Sequence, residues 1–413
     1  MARELKDSGI EWIGQIPKEW DLIRLKFITD INSGEIISKE EYETEGKYPI
    51  IGSNGEIGRL NKKNNNNQVV TTGRVGTIGT THLVKDAWIT DNALIIYPNN
   101  ICGHYLYYVV PLFDYKLMLS GTAQPLITSS KLKNQITPFP TLSTQQHIAN
   151  FLDSKCAEID ELIALQETMI EELKAYKQSV ITEAVTKGLN PDALMRNSGI
   201  DWIGEIPEHW KLEPLKYCFD RRSEKNNPVK TEERLSLSID KGVTLYSEKT
   251  TNLDRFKEDF TQYQLAYPND IVLNCMNMIV GAVGLSNYMG CVSPVYYVIY
   301  PIRQDINPLY YSYLLNIPTI RGVYYSLGKG IYAIERGEGR VNTCRLKVAY
   351  NDFGRLEIPV PPLEEQKEIT RFIQQKCSEI DSLITLKQTK IEELKEYKKS
   401  VIYEYVTGKK EVN

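Results

Sequence analysis

The sequence predicts an α+β protein in which two mixed α/β domains are joined by two long antiparallel coiled-coil helices with approximate twofold symmetry. Three observations support this prediction. A 20-residue segment occurs twice, a longer amphipathic segment occurs twice, and short apolar runs separated by turn residues lie between them. With 413 residues, the chain is also too long for one ordinary hydrophobic core.

The first repeat is rich in tryptophan. "SGIEWIGQIPKEWDLIRLKF" begins at Ser8 and "SGIDWIGEIPEHWKLEPLKY" at Ser198, and the two copies are identical at 12 of 20 positions. We expect a structural role, in which each copy packs at the end of one long helix. The tryptophans concerned are Trp12, Trp20, Trp202 and Trp210.

The second repeat is an amphipathic helix. Its copies begin at Lys155 and Lys376 and match at 22 of 33 positions, and apolar residues recur at spacings of three and four. Gly188 and Gly408 follow the last apolar residues as stop signals. A helix of about 33 residues is about 50 Å long. The predicted coiled-coil seam consists of Ile159, Leu162, Leu173, Tyr176 and Val180 in the first copy and Ile380, Leu383, Leu394, Tyr397 and Val401 in the second.

Connectivity predicts that the two helices are antiparallel. The chain leaves the first variable domain, follows one helix and enters the second domain at its far end, so a second helix that pairs with the first must run back. The alternative is two unrelated dimerisation helices. The predicted segments are a first domain at 1–140, a first helix at 141–190, a second domain at 191–360 and a second helix at 361–413.

The variable segments share faint similarities. "VGTIG" at Val75 aligns with "VGAVG" at Val280, and "LYY" at Leu106 aligns with "LYY" at Leu309. Runs such as "AWITDNALIIYP" and "CVSPVYYVIYP" are typical of β-strands. The two domains are therefore expected to share a fold and to differ on their surfaces.

Composition and charge limit the possible functions. The net charge of −4 argues mildly against an isolated nucleic-acid binder, yet residues 57–85 carry five basic side chains and no acidic one. The seven cysteines and four histidines are scattered without metal-ligand spacing, so no metal site is predicted. The absence of a long apolar run or secretory signal predicts a cytoplasmic protein without a membrane span.

Polar and basic residues on predicted loops are candidates for contacts to DNA, because base edges and phosphates are recognised by such side chains. The first-domain candidates are Ser53, Asn54, Lys62, Lys63, Thr72, Arg74 and Thr77. The second-domain candidates are Arg221, Arg222, Lys329, Arg336, Arg340 and Arg345.

Catalytic motifs are not found. "GVYYSLGKG" at Gly322 differs from a phosphate-binding loop in its spacing and lacks Ser or Thr after Lys329. No paired carboxylates or nucleophilic triad have local support, so no catalytic residue is predicted. Two alternatives stay open, namely a divergent or fused enzyme with its own nuclease and a scaffold that does not read DNA.

The repeat arrangement resembles the specificity subunit of type I restriction–modification enzymes. The resemblance rests on the two "W-I-G-x-I-P-x-x-W" segments, on the "P-P-L-x-E-Q" sequence that ends at Gln366, and on the twin helices. It covers essentially the whole chain. The first copy reads "PTLSTQ", so it departs at Thr141 and at Ser143–Thr144.

The resemblance implies a function. Each variable segment would be a target-recognition domain that reads one half of a bipartite site in double-stranded DNA, and the coiled coil would set the spacer. Two methyltransferase subunits would pack on the coil, and motor–nuclease subunits would join them. This chain would be non-catalytic and without a cofactor, since S-adenosylmethionine, ATP and Mg would be bound by the partner subunits.

Overall fold

The computed structural model describes residues 4–119, 125–248, 259–331, 335–336, 340–341 and 345–412, with the side chains of 331–345 left out. The chain forms two compact units. The first unit comprises 1–167 and 388–413, and the second comprises 168–387, so each unit contains part of both long helices. No helix in the described ranges is long and apolar enough to cross a membrane.

In the first unit, the elements begin with short strands and end in a long helix. The strands are β1 (Leu5–Asp7), β2 (Gln15–Pro17), β3 (Asp21–Arg24), β4 (Thr29–Ser33), β5 (Tyr48–Gly52), β6 (Gly55–Leu60), β7 (Val69–Gly73), β8 (Thr81–Val84), β9 (Trp88–Ile89), β10 (Ala93–Pro98) and β11 (Ile136–Phe139). The helices are α1 (Gly103–Val109), α2 (Ser129–Lys133) and α3 (Leu142–Lys187), and α3 continues into the second unit.

The second unit repeats this order with additional strands. The strands are β12 (Met195–Asn197), β13 (Glu205–Pro207), β14 (Lys211–Pro214), β15 (Phe219–Arg221), β16 (Leu235–Ser238), β17 (Gly242–Leu245), β18 (Gln264–Ala266), β19 (Ile271–Asn274), β20 (Val283–Leu285), β21 (Gly290–Val292), β22 (Tyr296–Pro301), β23 (Lys329–Ile331), β24 (Glu335–Arg336), β25 (Arg340–Val341), β26 (Arg345–Lys347) and β27 (Glu357–Val360). The helices are α4 (Pro308–Leu314), α5 (Pro318–Leu327), α6 (Tyr350–Gly354) and α7 (Leu363–Val406).

Each unit is built on an antiparallel four-stranded sheet of the same topology. The order is β4-β10-β7-β8 in the first unit and β15-β22-β19-β20 in the second. The central strands β10 and β22 carry the apolar runs "ALIIYP" and "YYVIYP", which suit strands with a buried face. The first unit adds the three-stranded sheet β6-β5-β9, whereas the second adds separate strand pairs.

The two weak similarities have different outcomes. "VGTIG" lies between β7 and β8, and "VGAVG" spans the end of the β19–β20 connection and the start of β20, so these segments occupy related places. The "LYY" alignment is wrong by two positions. The backbone N–H groups of Cys102 and Asn307 each bond to a glutamine at the start of a long helix, which makes Tyr105, three residues on, equivalent to Tyr310.

Both long helices extend N-terminally beyond the repeated segments, and they begin at Leu142 and Leu363, close to the predicted starts at 141 and 361. Helix α3 has 46 residues and α7 has 44, because the segments leading into the repeats are also helical. Buried Gln145 and Gln366 explain the glutamine of the motif. Each side chain donates to a backbone carbonyl just before its helix, at Pro140 or Pro361, and accepts from an N–H of the same unit's domain.

Within the first unit, the two helices run antiparallel. The ring of Phe151 lies 4.3 Å from that of Tyr405, and Asp160 pairs with Lys398 at 2.7 Å, so the α3 numbers rise as the α7 numbers fall. Both members of the ion pair are partly exposed to solvent, and such pairs contribute about 0–1 kcal/mol. The pair therefore marks the helix register and contributes little to stability.

Within the second unit, the helix pairing is again antiparallel. Asp381 pairs with Lys177 at 2.7 Å, and the Lys387 amine approaches the sulfur of Met169. Asp381 and Lys177 are the repeat equivalents of Asp160 and Lys398, with the roles of the two helices exchanged.

The seam residues divide into two groups. Ile159, Ile380 and Val401 are buried, and Leu173, Val180 and Leu394 are partly buried. The other four predicted seam residues, Leu162, Tyr176, Leu383 and Tyr397, are between 46 % and 57 % exposed. These four residues were predicted to lie within the seam, and the structure places them at its margin. The reason is that the buried stripe of each helix is centred on the isoleucines.

Each unit contains a joint where a long helix ends on the tryptophan-rich repeat. In the first unit, Gly408 has φ +72° and leaves no room for a Cβ, which would lie 2.6 Å from Pro17 and 2.9 Å from Trp20. In the second unit, Gly188 has φ +76° and faces Trp210. The left-handed conformation favours glycine at both C-terminal ends.

A buried tyrosine completes each joint. The hydroxyl of Tyr105 donates to the Val406 carbonyl oxygen (3.0 Å), and that of Tyr310 donates to the Val185 carbonyl oxygen (2.7 Å). Burial raises the pKa of both hydroxyls, so they remain protonated donors. The predicted structural role of the tryptophan repeats is consistent with this packing.

The first joint has two contacts that have no repeat equivalent. The hydroxyl of Tyr403 and the amine of Lys409 both donate to the Ile13 carbonyl oxygen, at 3.2 and 3.1 Å. In the second unit, the equivalent positions are Thr182 and Gly188, and the chain itself connects helix to repeat. The additional hydrogen bonds thus stabilise the joint that lacks a covalent link.

We predict that Gly408→Ala destabilises the first unit more than Gly9→Ala does. Both glycines have a positive φ, near +70°, which costs an L-residue about 1–2 kcal/mol, but only Gly408 also faces a steric clash. The urea midpoint of each full-length variant measures the difference. Equal midpoints for the two variants would contradict the packing argument.

Candidate nucleic-acid interface

Four of the first-domain candidates lie close together. Ser53 and Asn54 form the two-residue loop of the β5–β6 hairpin, since Gly52 pairs with Gly55. Arg74 and Thr77 lie in the loop between β7 and β8. The two loops touch at Gly73, where a Cβ would lie 2.1 Å from the Thr77 carbonyl oxygen and 2.8 Å from that of Ser53. We call Ser53, Asn54, Arg74 and Thr77 the loop cluster.

Arg74 is fixed by contacts from three sides. Its N–H donates to the Asn92 carbonyl oxygen (2.9 Å), and its own carbonyl accepts from the N–H of Ile127 (3.1 Å). Its guanidinium donates to the Ser33 hydroxyl (2.9 Å), while the buried Nε has no hydrogen-bond partner among the described residues. The side chain is thus held in place with donors to spare.

His82 packs against the turn of the β5–β6 hairpin. A Cβ on Gly55 would lie 3.2 Å from His82 Cε1, so the imidazole packs directly on the turn. Burial lowers the pKa of His82, which keeps the ring neutral near pH 7 and avoids a positive charge inside the domain. Neither His82 nor Ser33 was predicted, because long-range pairing places them at the cluster.

Three first-domain candidates lie elsewhere. Thr72 is completely buried in β7, so it is not available for contact with DNA. Lys62 pairs with Glu41 and lies over the ring of Trp88, beyond the far end of β6 from the hairpin turn. Lys63 pairs with Asp86 at 2.6 Å, a hydrogen bond that raises the pKa of the lysine and lowers that of the carboxyl.

Arg222 has a structural role that the sequence did not indicate. Its guanidinium forms a bidentate pair with buried Asp270, at 2.6 and 2.9 Å, between the rings of Tyr267 and Tyr300. This hydrogen bond raises the pKa of Arg222. The assignment of Arg222 to the DNA interface is therefore corrected, because its donors already satisfy a buried charge.

Arg221 is held by contacts to two tyrosine rings. Its guanidinium lies over Tyr297 (4.9 Å) and Tyr350 (5.4 Å), and its Nε is buried without a hydrogen-bond partner in the described part of the chain. Lys329 is exposed and pairs in register with Lys347, a residue not among the predicted candidates. The backbones of Arg336, Arg340 and Arg345 lie in β24, β25 and β26, whereas their side chains are outside the described part.

Sequence comparison identifies one family over most of the chain. The family model described as "Type I restriction modification DNA specificity domain" matches residues 17–175 and 216–396. The MjaVIII specificity subunit of a type I restriction enzyme from Methanocaldococcus jannaschii is 23 % identical, with 96 % of this chain and 94 % of the relative aligned. The EcoDI specificity subunit from Escherichia coli is 18 % identical, with coverage of 90 % and 84 %.

Solved structures share the fold. A chain described under "Structural basis underlying complex assembly and conformational transition of the type I R-M system" has a TM-score of 0.64 at 16 % identity, covering 95 % of this chain and 98 % of that one. The HsdS subunit from Thermoanaerobacter tengcongensis has a TM-score of 0.52 at 16 % identity, with coverage of 97 % and 99 %. The predicted fold class is confirmed, and with two tandem specificity domains this chain belongs to the type I restriction–modification DNA specificity family.

Proposed function

We propose that each domain of this specificity subunit reads one half of a bipartite double-stranded DNA site, and that the paired helices set the spacer between the halves. The loop cluster carries the proposal for the first half-site. Two loops from separate strand pairs present hydroxyl, amide and guanidinium groups together, and these groups match the donor and acceptor pattern of the major groove. Chemistry would come from partner subunits, and this chain would be non-catalytic and without a cofactor of its own.

The partner proposal rests on a duplicated apolar surface. Leu162 and Leu165 of α3 and Tyr397 of α7 are about half exposed, and Tyr397 lies within a turn of Leu162 because Lys398 pairs with Asp160. We call these three residues the first-unit patch. Glutamate and lysine side chains cover much of the remaining helix surface, so this patch stands out as apolar.

The second unit carries the same patch with the helix roles exchanged. It consists of Leu383 and Leu386 of α7, and Tyr176 of α3. Two equal patches fit two copies of one partner. We propose that each patch binds one methyltransferase subunit, with the leucines as the apolar anchor that such interfaces require. Motor–nuclease subunits would then join the assembly, which we place in the cytoplasm.

The general test of the function is the methylation pattern. Co-expression of this chain with its cognate methyltransferase subunit is expected to methylate adenines in one bipartite sequence, which sequencing of modified bases detects. Replacing residues 28–138 by the equivalent segment of a relative should change only one half-site. An unchanged sequence would favour a scaffold that does not read DNA.

We predict that Arg74→Ala relaxes recognition of one base pair in the first half-site. Loss of a specific guanidinium contact costs about 1–3 kcal/mol, and Arg74→Lys should restore charge but not the fork geometry. The modified-base map and the affinity of the purified complex for its site measure the effect. Arg24→Ala, at an exposed arginine of the same unit, serves as control, and equal effects of Arg24→Ala and Arg74→Ala would contradict the assignment.

Arg222→Ala is expected to lower stability with little selective effect on base recognition. It leaves the buried Asp270 carboxylate unpaired, and breaking such a pair typically costs about 3–5 kcal/mol. The thermal unfolding midpoint of the full-length chain should fall well below that of Arg221→Ala. If the variant recognises a different second half-site and its unfolding midpoint is unchanged, Arg222 contacts DNA and the structural assignment is wrong.

The patches predict a change in stoichiometry. Leu162→Glu with Leu165→Glu should leave one methyltransferase copy bound, and adding Leu383→Glu with Leu386→Glu should leave none, because each pair removes an apolar anchor worth about 2 kcal/mol or more. Native mass spectrometry of the purified complex counts the copies. Leu194→Glu, at an exposed leucine between α3 and β12, is the matched control. Two bound copies in the fourfold variant would refute the docking surface.

A further inference from the structure

Two equivalent glycines contact different side chains in the two units. Gly76 and Gly281 are the second residues of "VGTIG" and "VGAVG", and both adopt the left-handed conformation, with φ of +76° and +99°. A Cβ on Gly76 would lie 3.9 Å from the hydroxyl oxygen of Ser53, and a Cβ on Gly281 would lie 2.7 Å from Nη2 of Arg321. The guanidinium of Arg321 therefore lies where the first unit has a hydroxyl of the loop cluster.

The hairpin of the second unit contacts the other glycine of its motif. Hairpins β5–β6 and β16–β17 occupy the same place in the chain, between an edge strand and an inner strand of the four-stranded sheet. A Cβ on Gly284 would lie 2.9 Å from Cα of Gly242 in β17. The hairpin thus packs on Gly284, and α5 supplies the side chain that packs on Gly281.

Arg321 is held in place at the start of α5. Its N–H donates to the Ile317 carbonyl oxygen (3.3 Å), and Nη2 donates to the side-chain oxygen of Asn316 (3.0 Å). The side chain is partly exposed, and its buried Nε has no hydrogen-bond partner in the described ranges. Arg74 shows the same combination of one guanidinium bond to a polar side chain and a buried Nε without a described partner. Each unit therefore holds a fixed arginine with donors left for a ligand.

The charge of Arg321 is not neutralised within the described part of the chain, where no carboxylate pairs with it. Burial lowers the pKa of Arg321, whereas the hydrogen bond to Asp270 raises the pKa of Arg222. Removing a cation from water without an opposite charge costs free energy. An electronegative group that approaches from solvent would recover part of that cost, so the position favours a ligand rich in acceptors.

A second arginine lies near the same loop. The connection between β19 and β20 begins at Cys275, and the positive charge of Arg221 lowers the pKa of that thiol, although burial outweighs it and raises the pKa. Arg221 belongs to β15 and Arg321 to α5. Two separate elements thus bring positive charge to one loop, which favours an anionic ligand such as DNA.

Gly322 leaves open space beside Arg321. It is an exposed residue inside α5, and a Cβ there would have no described heavy atom within 4 Å. Glycine in a helix interior is destabilising relative to alanine, and no packing among the described residues requires it at this position. Close approach of a ligand backbone would account for a residue without a side chain here.

We propose that Arg321 reads a guanine in the second half-site. The planar fork of a guanidinium matches the O6 and N7 acceptors that guanine presents in the major groove, which is the commonest specific contact of arginine. The inference rests on the proposed function and deepens it, because it names a specificity-determining residue of the second unit. Arg321 lies on a helix, whereas the candidates predicted from the sequence were sought on loops.

The first test replaces Arg321 in the full-length chain, co-expressed with its methyltransferase subunit. Arg321→Ala should leave the first half-site unchanged, relax one base pair of the second, and lower the affinity of the purified complex for its site about 5- to 150-fold. Arg355→Ala, at an exposed arginine near β27, is the matched control and should change neither half-site. An unchanged second half-site in Arg321→Ala would overturn the inference.

The second test uses Arg321→Gln, which keeps a polar side chain on Gly281 and decides the matter if the alanine variant does not fold. The DNA carries 7-deazaguanine, which lacks the N7 acceptor, at each guanine of the second half-site in turn. In the wild-type complex, one such replacement should lower the affinity about fivefold or more. The same replacement should have no further effect on Arg321→Gln, because both changes remove one contact.

Additive losses in this cycle, or a second half-site without guanine, would overturn the assignment of Arg321. A wild-type complex that methylates no bipartite site would instead refute the proposed function, whatever Arg321 contacts.

Discussion

The packing of each helix end on its tryptophan repeat is the constraint on which the rest of the structure depends. A helix can stop against an indole only if the next residue turns into the left-handed region without a side chain, which is why Gly188 and Gly408 follow the two long helices. The tyrosine hydroxyls of Tyr105 and Tyr310 then satisfy the carbonyls that these ends leave free. The direction of the helices follows from the chain. The first tryptophan repeat precedes the first domain, yet it packs at the end of α7, the helix that follows the second domain. The helix α7 must therefore run back along α3.

The two long helices and their tryptophan repeats could be predicted from the sequence, because they depend on short segments and each segment occurs twice. Period, stop signals and the motif glutamine are all properties of short segments, and each has an evident physical cause in the structure. The margin of the seam was not predictable at the same level. Leu162 and Ile159 satisfy the same spacing rule, and only the position of the partner helix decides that the isoleucine is buried and the leucine half exposed. The periodicity therefore located the apolar face but not its centre.

The candidate interface was predictable in residue type but not in arrangement. Arg74 and Arg222 look alike in sequence, since both follow a strand and neither has an acidic neighbour at helical spacing. Long-range pairing separates them, because it places a serine hydroxyl beside Arg74 and a buried carboxylate beside Arg222. Thr72 was misjudged for a related reason. It lies in β7, an inner strand of the four-stranded sheet, where its side chain is completely buried and its hydroxyl is not available to a ligand.

Duplication and divergence separate two kinds of surface in this chain. A partner that binds twice requires the same surface twice, and the patches that we propose as its binding sites, built on Leu162 and Leu383, keep both their leucines and their tyrosine. Two different half-sites would require different surfaces, and the two units differ in the strands added to the four-stranded sheet: the first has the three-stranded sheet β6-β5-β9, and the second has separate strand pairs. The loop cluster uses the β5–β6 hairpin of that additional sheet. The contacts proposed for the first half-site therefore depend on a part of the fold in which the two units differ.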